Sequence, residues 1–456
     1  MPKIPTSRLA RTARFGGLVA GQSARWAGTQ AANRLRSDDQ AEAADAKRAL
    51  ALADELVTQL GQMKGAAMKL GQVLSTVDFD MVPEGEREAF KERLSSLRDA
   101  APQVPFKNMK KVLLDDLGGS LDEHFAAFSN VPIAAASIGQ VYRATLHDGR
   151  DVAVKVQYPG VAEAVETDLR NAGILLPLVK RLAPGLDAKA ILGELRERVG
   201  EELDYELEAQ NHRRVSRAFR GHPFVRVPEV VTSMSTRRVL ITEFIAGRGF
   251  GAVKELPDAE RDRFAEICFR FFYGLLGRER IAAGDPHPGN YILSDDGRVA
   301  FLDFGLVRRM DADYLERERA LARAVIAGDA AEVHRLFADL GYLPDPGAFD
   351  PDRVLAQLAA AGEWYFTTGF RRLDPEYVRH SMEISGSPAS PFFDEMRRQT
   401  IPPQALLLRR MEGLLFSVLG ELRAGADWAT LALEYMADEP PSTPLGREEA
   451  AWIASS

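Results

Sequence analysis

The sequence contains a single cysteine, Cys268, set in the apolar run Ile267-Cys268-Phe269. One thiol excludes an internal disulfide and a cysteine-based zinc site, and its neighbours predict a small buried core residue. That usage is compatible with a reducing interior. Long hydrophobic runs are missing as well. A membrane span needs about 18 consecutive apolar residues, whereas the most apolar stretches, 174–179 and 267–276, are short and interrupted by Pro177 and Arg270. Both are expected to be core segments. An excess of positive charge is also lacking: 58 Lys and Arg against 66 Asp and Glu leave a net charge of −8. A polyanion is therefore not recognised by overall charge, and no nucleic-acid partner is expected. No internal repeat is present. What remains is ordinary globular composition, 46% hydrophobic and 27% charged, on a chain long enough for two or three core-forming units.

Acidic residues are absent before Asp38, while Lys3, Arg8, Arg11, Arg14, Arg25, Arg34 and Arg36 precede it. The pattern suits an anionic membrane surface, an organelle-targeting peptide, or a basic arm lying on an acidic body, and the sequence leaves the three open. The expected location is the cytoplasm, with the arm available for peripheral membrane contact.

Periodicity divides the rest. Residues 1–37 form the basic arm. In the next segment, 38–105, Leu50, Leu52, Leu56, Leu60, Met63 and Ala67 recur at threes and fours and predict a helical extension. It ends at the Pro102 to Pro105 break. Residues 106–244 then form a smaller lobe. A helix over 106–117 stops at Gly118-Gly119, and the period changes to two over 133–136, 140–146 and 151–157. These are expected strands, the last two joined at His147-Asp148-Gly149. Helices are expected over 161–182 and 188–220, and a strand pair over 228–232 and 238–244. Ile245-Ala246-Gly247 is the joint to a helical lobe, 245–437, which carries one small hairpin near 291–301 turning at Asp295-Asp296-Gly297. Residues 438–456, with Pro440, Pro441 and Pro444, are expected to be a loose tail. The fold class is α+β, and two lobes of this kind commonly hold a nucleotide between them.

Three elements carry the chemistry. Val152-Ala153-Val154-Lys155 ends an alternating apolar strand in one lysine, the pattern of a strand whose lysine reaches the α- and β-phosphates of ATP. Gly284-Asp285-Pro286-His287-Pro288-Gly289-Asn290 has the D-x-x-x-x-N spacing of a phosphotransfer loop. There Asp285 would orient or deprotonate an attacking hydroxyl, and the Asn290 amide oxygen would bind Mg²⁺. His287, between two prolines, is expected to shape the loop. Leu302-Asp303-Phe304-Gly305 follows the hairpin, with Asp303 as the second oxygen ligand of Mg²⁺. Each element alone is a weak signal; their order and context together are specific. The expected cofactors are ATP or ADP, and Mg²⁺. A glutamate should pair with the lysine, and Glu201, Glu202, Glu206 and Glu208 all lie on one candidate helix.

At this point the chain resembles the AarF/UbiB/ADCK atypical kinases, the UbiB or coenzyme Q8-type family. Lys69-Leu70-Gly71-Gln72 resembles its KxGQ motif. Ala134-Ala135-Ala136-Ser137-Ile138-Gly139 resembles the alanine-rich loop that replaces the kinase glycine-rich loop, and Glu202-Leu203-Asp204 resembles its ExD motif. The resemblance implies a protein-kinase-like bilobal fold with a helical N-terminal extension. It assigns Lys69, Gly71, Gln72, Glu202 and Asp204 as regulatory residues and Glu208 as the partner of Lys155. The alanine loop, Val141, Lys155, Glu243 and Ile245 are the implied nucleotide contacts. It also implies a role in ubiquinone or other isoprenoid-lipid metabolism. Only residues 306–310 separate Gly305 from the next helix, and no A-P-E triplet follows. That leaves little room to dock a peptide and favours ATP hydrolysis or a small-molecule or lipid acceptor. Two further readings stand beside it: a small-molecule phosphotransferase of the aminoglycoside or choline kinase sort, and a non-catalytic, nucleotide-gated scaffold.

Overall fold

The computed structural model describes residues 104–136, 138–167, 169, 200, 202–387 and 390–455. The basic arm, nearly all of the helical extension, Lys69, Gly71, Gln72, Ser137, the 174–179 stretch and the middle of the segment 161–200 lie outside them. The described chain is α+β and divides into two units. One ends at Leu207 and regains Val231–Thr242; the other comprises Glu208–Val230 and Glu243–Ser456. The final crossing after Thr242 lies within two residues of the expected boundary at 244, but Glu208–Val230, expected in the smaller lobe, belongs to the helical unit. Val215, Phe219, Phe224, Val225 and Val227 are buried in the core of the helical unit, and their burial carries Glu208–Val230 with it.

In the first unit, helix α1 (Phe106–Leu117) lies on a sheet of β1 (Phe125–Ala135), β2 (Gly139–Leu146), β3 (Asp151–Gln157) and β5 (Val239–Glu243), in the order β1-β2-β3-β5. Met109, Val112 and Leu113 of α1 pack on Tyr142, Ala144, Val152, Val154 and Val156. Alternation in β3 sends its three valines to this core and Ala153 and Lys155 to the other face. Asp116 near the end of α1 accepts hydrogen bonds from Thr236 (2.6 Å) and from Arg238 Nε (2.7 Å), fixing the helix to the strand that follows. Strand β1 is longer than the expected 133–136. It contains Pro132 and three register irregularities, features tolerated because it is an edge strand. The expected strand over 228–232 does not form: this segment meets β5 only through isolated bonds such as Val231 N to Ile241 O (2.8 Å).

Helix α2 (Tyr205–Ala218) begins later than the single helix expected over 188–220. The chain breaks at Leu203-Asp204, and the Asp204 carboxylate accepts the N–H groups of Glu206 (3.0 Å) and Leu207 (3.1 Å). A short acidic side chain at an N-cap satisfies donors that the first turn cannot.

The helical unit contains a sheet of β4 (Val225–Arg226), β9 (Val299–Phe301), β8 (Tyr291–Ser294) and β6 (Gly247–Gly249), in that order. Around it stand α3 (Asp258–Glu279), α4 (Ala312–Ala327), α5 (Ala330–Asp339), α6 (Pro351–Ala361), α7 (Pro375–Gly386), α8 (Leu406–Glu421), α9 (Trp428–Met436) and α10 (Pro444–Ser455). Cys268 is fully buried in α3, as its neighbours predicted, and burial pushes its thiol pKa up. No helix among the described residues is long and apolar enough to cross a membrane.

Two strand pairs are nested, one inside the other. The inner pair is β8 with β9, a hairpin whose turn Gly297 closes at φ 81°. The outer pair is β7 (Ile281–Ala283) with β10 (Val307–Arg309), also antiparallel. The loop 284–290 joins β7 to β8, and 302–306 joins β9 to β10, so the pairing holds the two loops opposite each other. Gly284 N to Leu306 O (2.9 Å) and Leu302 N to Asn290 O (3.0 Å) close the space between the pairs from both ends.

The expected loose tail is a helix. Thr443 Oγ1 accepts the Gly446 N–H (3.0 Å), Pro444 occupies the first helical position, and Leu445, Gly446 and Glu449 are buried. The helix is held by charge. Arg270 of α3, 1% exposed, donates to Glu266 (2.8 Å), Glu434 (2.8 Å) and Glu449 (3.2 Å), and Glu449 also accepts from Arg278 (2.7 Å) and Tyr435 (2.8 Å). Burial alone would raise the Glu449 pKa. Its contacts with His222, Arg278 and Tyr435 outweigh that and hold it at about 2.

Two predictions follow from this packing. A carboxylate with a lowered folded pKa stabilises above its unfolded value of 4.5, and that stability is lost as pH falls toward about 2. Glu449→Gln should cost ~3 kcal/mol in urea unfolding at neutral pH, and the difference should shrink as the wild type is acidified toward pH 2. A cost independent of pH would mean that only shape matters. At Gly284, an added Cβ would lie 2.1 Å from Leu407 Cδ1 of α8. Gly284→Ala should destabilise by ~1–3 kcal/mol, and combining it with Leu407→Ala should cost less than the sum of the two single changes. Strict additivity in that cycle would show that the two do not touch.

Candidate active site

The loop 284–290 is held by its own chain. His287 N donates to Asp285 O (2.7 Å), Asn290 N to His287 O (2.9 Å), and Gly289 N to His287 Nδ1 (3.1 Å), while residues 288–290 make a 3₁₀ turn opening on proline. His287 therefore braces the loop with Nδ1 as acceptor, consistent with the shaping role its flanking prolines suggested. Opposite, Asp303 Oδ1 accepts the Gly305 N–H (3.0 Å). Asp285, Asn290 and Asp303 line one small cavity of about 10 Å³ together with Tyr291, Phe301 and Phe304. Three of the sequence-predicted residues are thus brought to one point of the helical unit.

The donor chemistry of this cavity suits a hard cation. The Asn290 amide nitrogen faces the Asp285 carbonyl at 3.5 Å, which orients the amide. The side-chain oxygens available are the Asn290 amide oxygen and the carboxylates of Asp285 and Asp303. Magnesium prefers oxygen ligands and keeps several positions for water and phosphate, so two protein ligands suffice. Among the described residues no cluster of three or more His, Cys, Asp or Glu side chains offers an all-protein metal cage.

Helix α2 fixes the Asp303 loop. Asn211 Nδ2 donates to Phe304 O (3.2 Å), and the His212 ring meets the Phe304 ring edge-on at 4.8 Å. Glu208, one turn earlier, is 3% exposed. A Cβ added to Gly305 would sit 3.3 Å from Asp303 Oδ1 and 3.7 Å from Glu208 Oε2, so both carboxylates border the glycine. Glu208 accordingly stands beside Asp303 in the helical unit rather than in the smaller lobe to which its sequence position pointed.

In the first unit, register builds a row. Ala134 pairs with Val141, and Val141 with Lys155, placing all three on the sheet face away from α1. Ala135 pairs with Gln140 on the other face, where Gln140 is buried and accepts the Val104 N–H (3.1 Å). Ala136 N donates to Gly139 O (2.8 Å) and Tyr158 N to Ile138 O (2.8 Å), so part of the alanine loop's backbone is already committed. Gly139 is required there: a Cβ would lie 2.3 Å from Val156 O. Of the remaining expected residues, Asp204 caps α2 as described and lies 3.9 Å from Arg237, and Glu202 is half-buried. Glu243 binds Arg226, and Ile245 is buried.

Two residues with a place in these sites escaped the sequence reading. Arg410 of α8 donates from Nε to Gly284 O (2.8 Å) and from Nη2 to Asp285 Oδ1 (3.2 Å). It clamps the loop backbone and the carboxylate together. Tyr205, 1% exposed, lies under the alanine loop, its hydroxyl 2.9 Å from where a Gly139 Cβ would stand, and its ring centroid is 5.0 Å from Lys155 Nζ. Such a cation–π contact contributes ~0.5–2 kcal/mol. The only sequence signal for Tyr205 was its position beside Glu202-Leu203-Asp204. Arg410 carried none, being 125 residues from its partner.

The ABC1 atypical kinase-like domain matches residues 96–337. Atypical kinase COQ8B, mitochondrial, of Rattus norvegicus is 31% identical over 395 residues, covering 83% of this chain and 74% of that protein. Atypical kinase coq-8, mitochondrial, of Caenorhabditis elegans is 31% identical over 353 residues, 75% of this chain; the match spans 46% of the nematode protein, less than half its length. Among solved structures, Rv3197 of Mycobacterium tuberculosis, in complex with erythromycin, superposes with a TM-score of 0.63 at 29% identity, over 88% of this chain and 98% of that one. The chain belongs to the ABC1, or AarF/UbiB/ADCK, family of atypical kinases.

Proposed function

We propose that the chain binds ATP or ADP with Mg²⁺ and acts as a UbiB-type atypical kinase or ATPase in ubiquinone or other isoprenoid-lipid metabolism. The observation that carries this reading is the convergence of Asp285, Asn290 and Asp303 on one small cavity. In it, Asn290 and Asp303 hold the metal, whose chemistry is to neutralise phosphate charge. Lys155 supplies the cation for the α- and β-phosphates, in the row Ala134–Val141–Lys155, and Glu208 orients it. Asp285 positions the attacking hydroxyl or water and takes its proton, while Arg410 keeps that carboxylate and its loop in place. Glu243 and Ile245 border the nucleotide base, and the Lys69, Gly71, Gln72, Glu202 and Asp204 positions regulate access.

The acceptor is water or a small, lipid-like molecule. Between Gly305 and α4, residues 307–309 are consumed by β10, and Asp311 already caps the helix by accepting the Tyr314 N–H (2.9 Å). No length is left for a peptide-docking platform. The basic residues before Asp38 suit attachment to an anionic surface.

The reading is tested at the metal ligand. Asp303→Asn should weaken Mg²⁺-dependent ATP binding on the order of 10- to 100-fold, measured by calorimetry with and without Mg²⁺; wild-type affinity in the variant would reject the assignment. Ala136→Gly should change the ratio of ATP to ADP affinity, because glycine frees the turn to offer more backbone N–H groups to phosphate. Unchanged affinities for both nucleotides would remove the loop from the site. Phosphate release measured with and without anionic vesicles and phenolic quinone precursors distinguishes the acceptors.

A further inference from the structure

The helical unit contains a second cavity, of about 680 Å³, among α3, α4, α6, α7 and α8. Protein interiors rarely leave voids much larger than a water molecule, and ligand pockets are typically about 300–1,000 Å³. None of Asp285, Asn290 and Asp303 lines it. Its walls are chiefly apolar and aromatic, with Leu276 and Leu358 among them, and the rings of Trp364 and Phe416 stack at 4.7 Å on one side.

Room is kept at Gly413, in the interior of α8. Glycine there weakens a helix, and no close neighbour requires it, since an added Cβ would meet nothing within 4 Å. The mouth is apolar as well. Met382 of α7 and Ile401, in the segment before α8, line the cavity yet stay 44% and 58% exposed. Bulky apolar side chains left in water at an opening favour an occupant that covers them.

The charged lining is balanced: Arg280, Arg319 and Arg409 face Glu316, Glu318 and Glu412. Burial raises the Glu412 pKa to about 6, so all six are ionised at neutral pH. The central group is closed on itself. Arg409 donates from Nε to the Tyr342 hydroxyl (3.0 Å), from Nη1 to Glu412 (2.7 Å) and from Nη2 to Glu318, so each of its nitrogens is engaged. The other Glu318 oxygen accepts from Tyr314 (2.6 Å) and Tyr342 (3.1 Å), and Glu316 pairs with Arg323 (2.7 Å). An ion of either sign would shed its water to enter and meet as much opposition as attraction. An uncharged molecule bears no such cost.

We propose that this cavity is a binding site for an uncharged lipophilic molecule, its apolar body against Trp364 and Phe416 and one end at Met382 and Ile401. Removal of apolar surface from water, on both ligand and walls, drives the binding. The site stands apart from the nucleotide residues, and its test reads no catalysis.

Two dyes of one skeleton separate the possibilities. Phenylnaphthylamine is uncharged at neutral pH, anilinonaphthalene sulfonate adds a negative charge, and both brighten in apolar surroundings. The full chain should bind the uncharged dye about tenfold or more tightly. Octanol should displace it, whereas octanoate and octylammonium, of the same chain length, should require about tenfold higher concentrations. Gly413→Leu, which fills the cavity, should cut affinity for the uncharged dye by about tenfold or more while leaving the urea midpoint no lower. If that variant does not fold, Ile401→Asp at the mouth should still weaken the dye by about threefold or more, and Phe370→Asp, exposed but outside the lining, should leave it unchanged. Absence of dye binding, a sulfonate that binds equally or better, or displacement by either ion as readily as by octanol would overturn the proposal. So would an unchanged affinity in folded Gly413→Leu, or in Ile401→Asp.

Discussion

The candidate active site depends on the pairing of β7 with β10 outside the hairpin β8–β9. Antiparallel pairs nested in this way fix two loops against each other whatever the loops contain. Here they contain Asp285 and Asn290 on one side and Asp303 on the other, so backbone hydrogen bonds set the spacing of the oxygens. A strand register is stiff because slipping it by one residue sends every side chain to the opposite face. The loops themselves need little further support, and what they receive is specific: His287 folds its own loop, and the Gly305 N–H orients Asp303.

Helix α2 performs the complementary task. Its first turn is capped by Asp204, its Tyr205 packs by the alanine loop, and its next turns bring Glu208, Asn211 and His212 to the Asp303 loop. The division between the two units falls inside this helix, after Leu207. The acidic cluster is sorted by this geometry. Asp204 is a cap, Glu208 is buried, and the helix positions between them follow from 3.6 residues per turn.

The parts of the molecule legible in the sequence were those whose signal is local. D-x-x-x-x-N and D-F-G spacings specify loops, the Asp295-Asp296-Gly297 turn specifies a hairpin, and alternation in 151–157 specifies which way Lys155 points. The failures share a cause. Strand β1 has weak alternation because it is an edge with bulges, so tertiary pairing and not pattern makes it a strand. The C-terminal helix was hidden behind prolines, although Thr443-Pro444 is a fair cap and first turn; its docking depends on Arg270, far away in sequence. Arg410, and the centre formed by Arg409, Glu318 and Glu412, join residues of separate helices and leave no trace in spacing.

Helix α8 brings the two polar regions of the helical unit into one rigid element. Leu407 and Arg410 lie three residues apart, hence on one side, and meet Gly284 and Asp285. Arg409 and Glu412, also three apart, are turned by about 200° from them at 100° per residue and meet the large cavity. The face of Leu408, Met411 and Leu415 is buried in the core and denies the helix freedom to roll. The buried Arg270 centre offers the contrast. It groups four charged side chains, and its donors are spent on Glu266, Glu434, Glu449 and Thr443 with almost no exposure, so it fastens helices together.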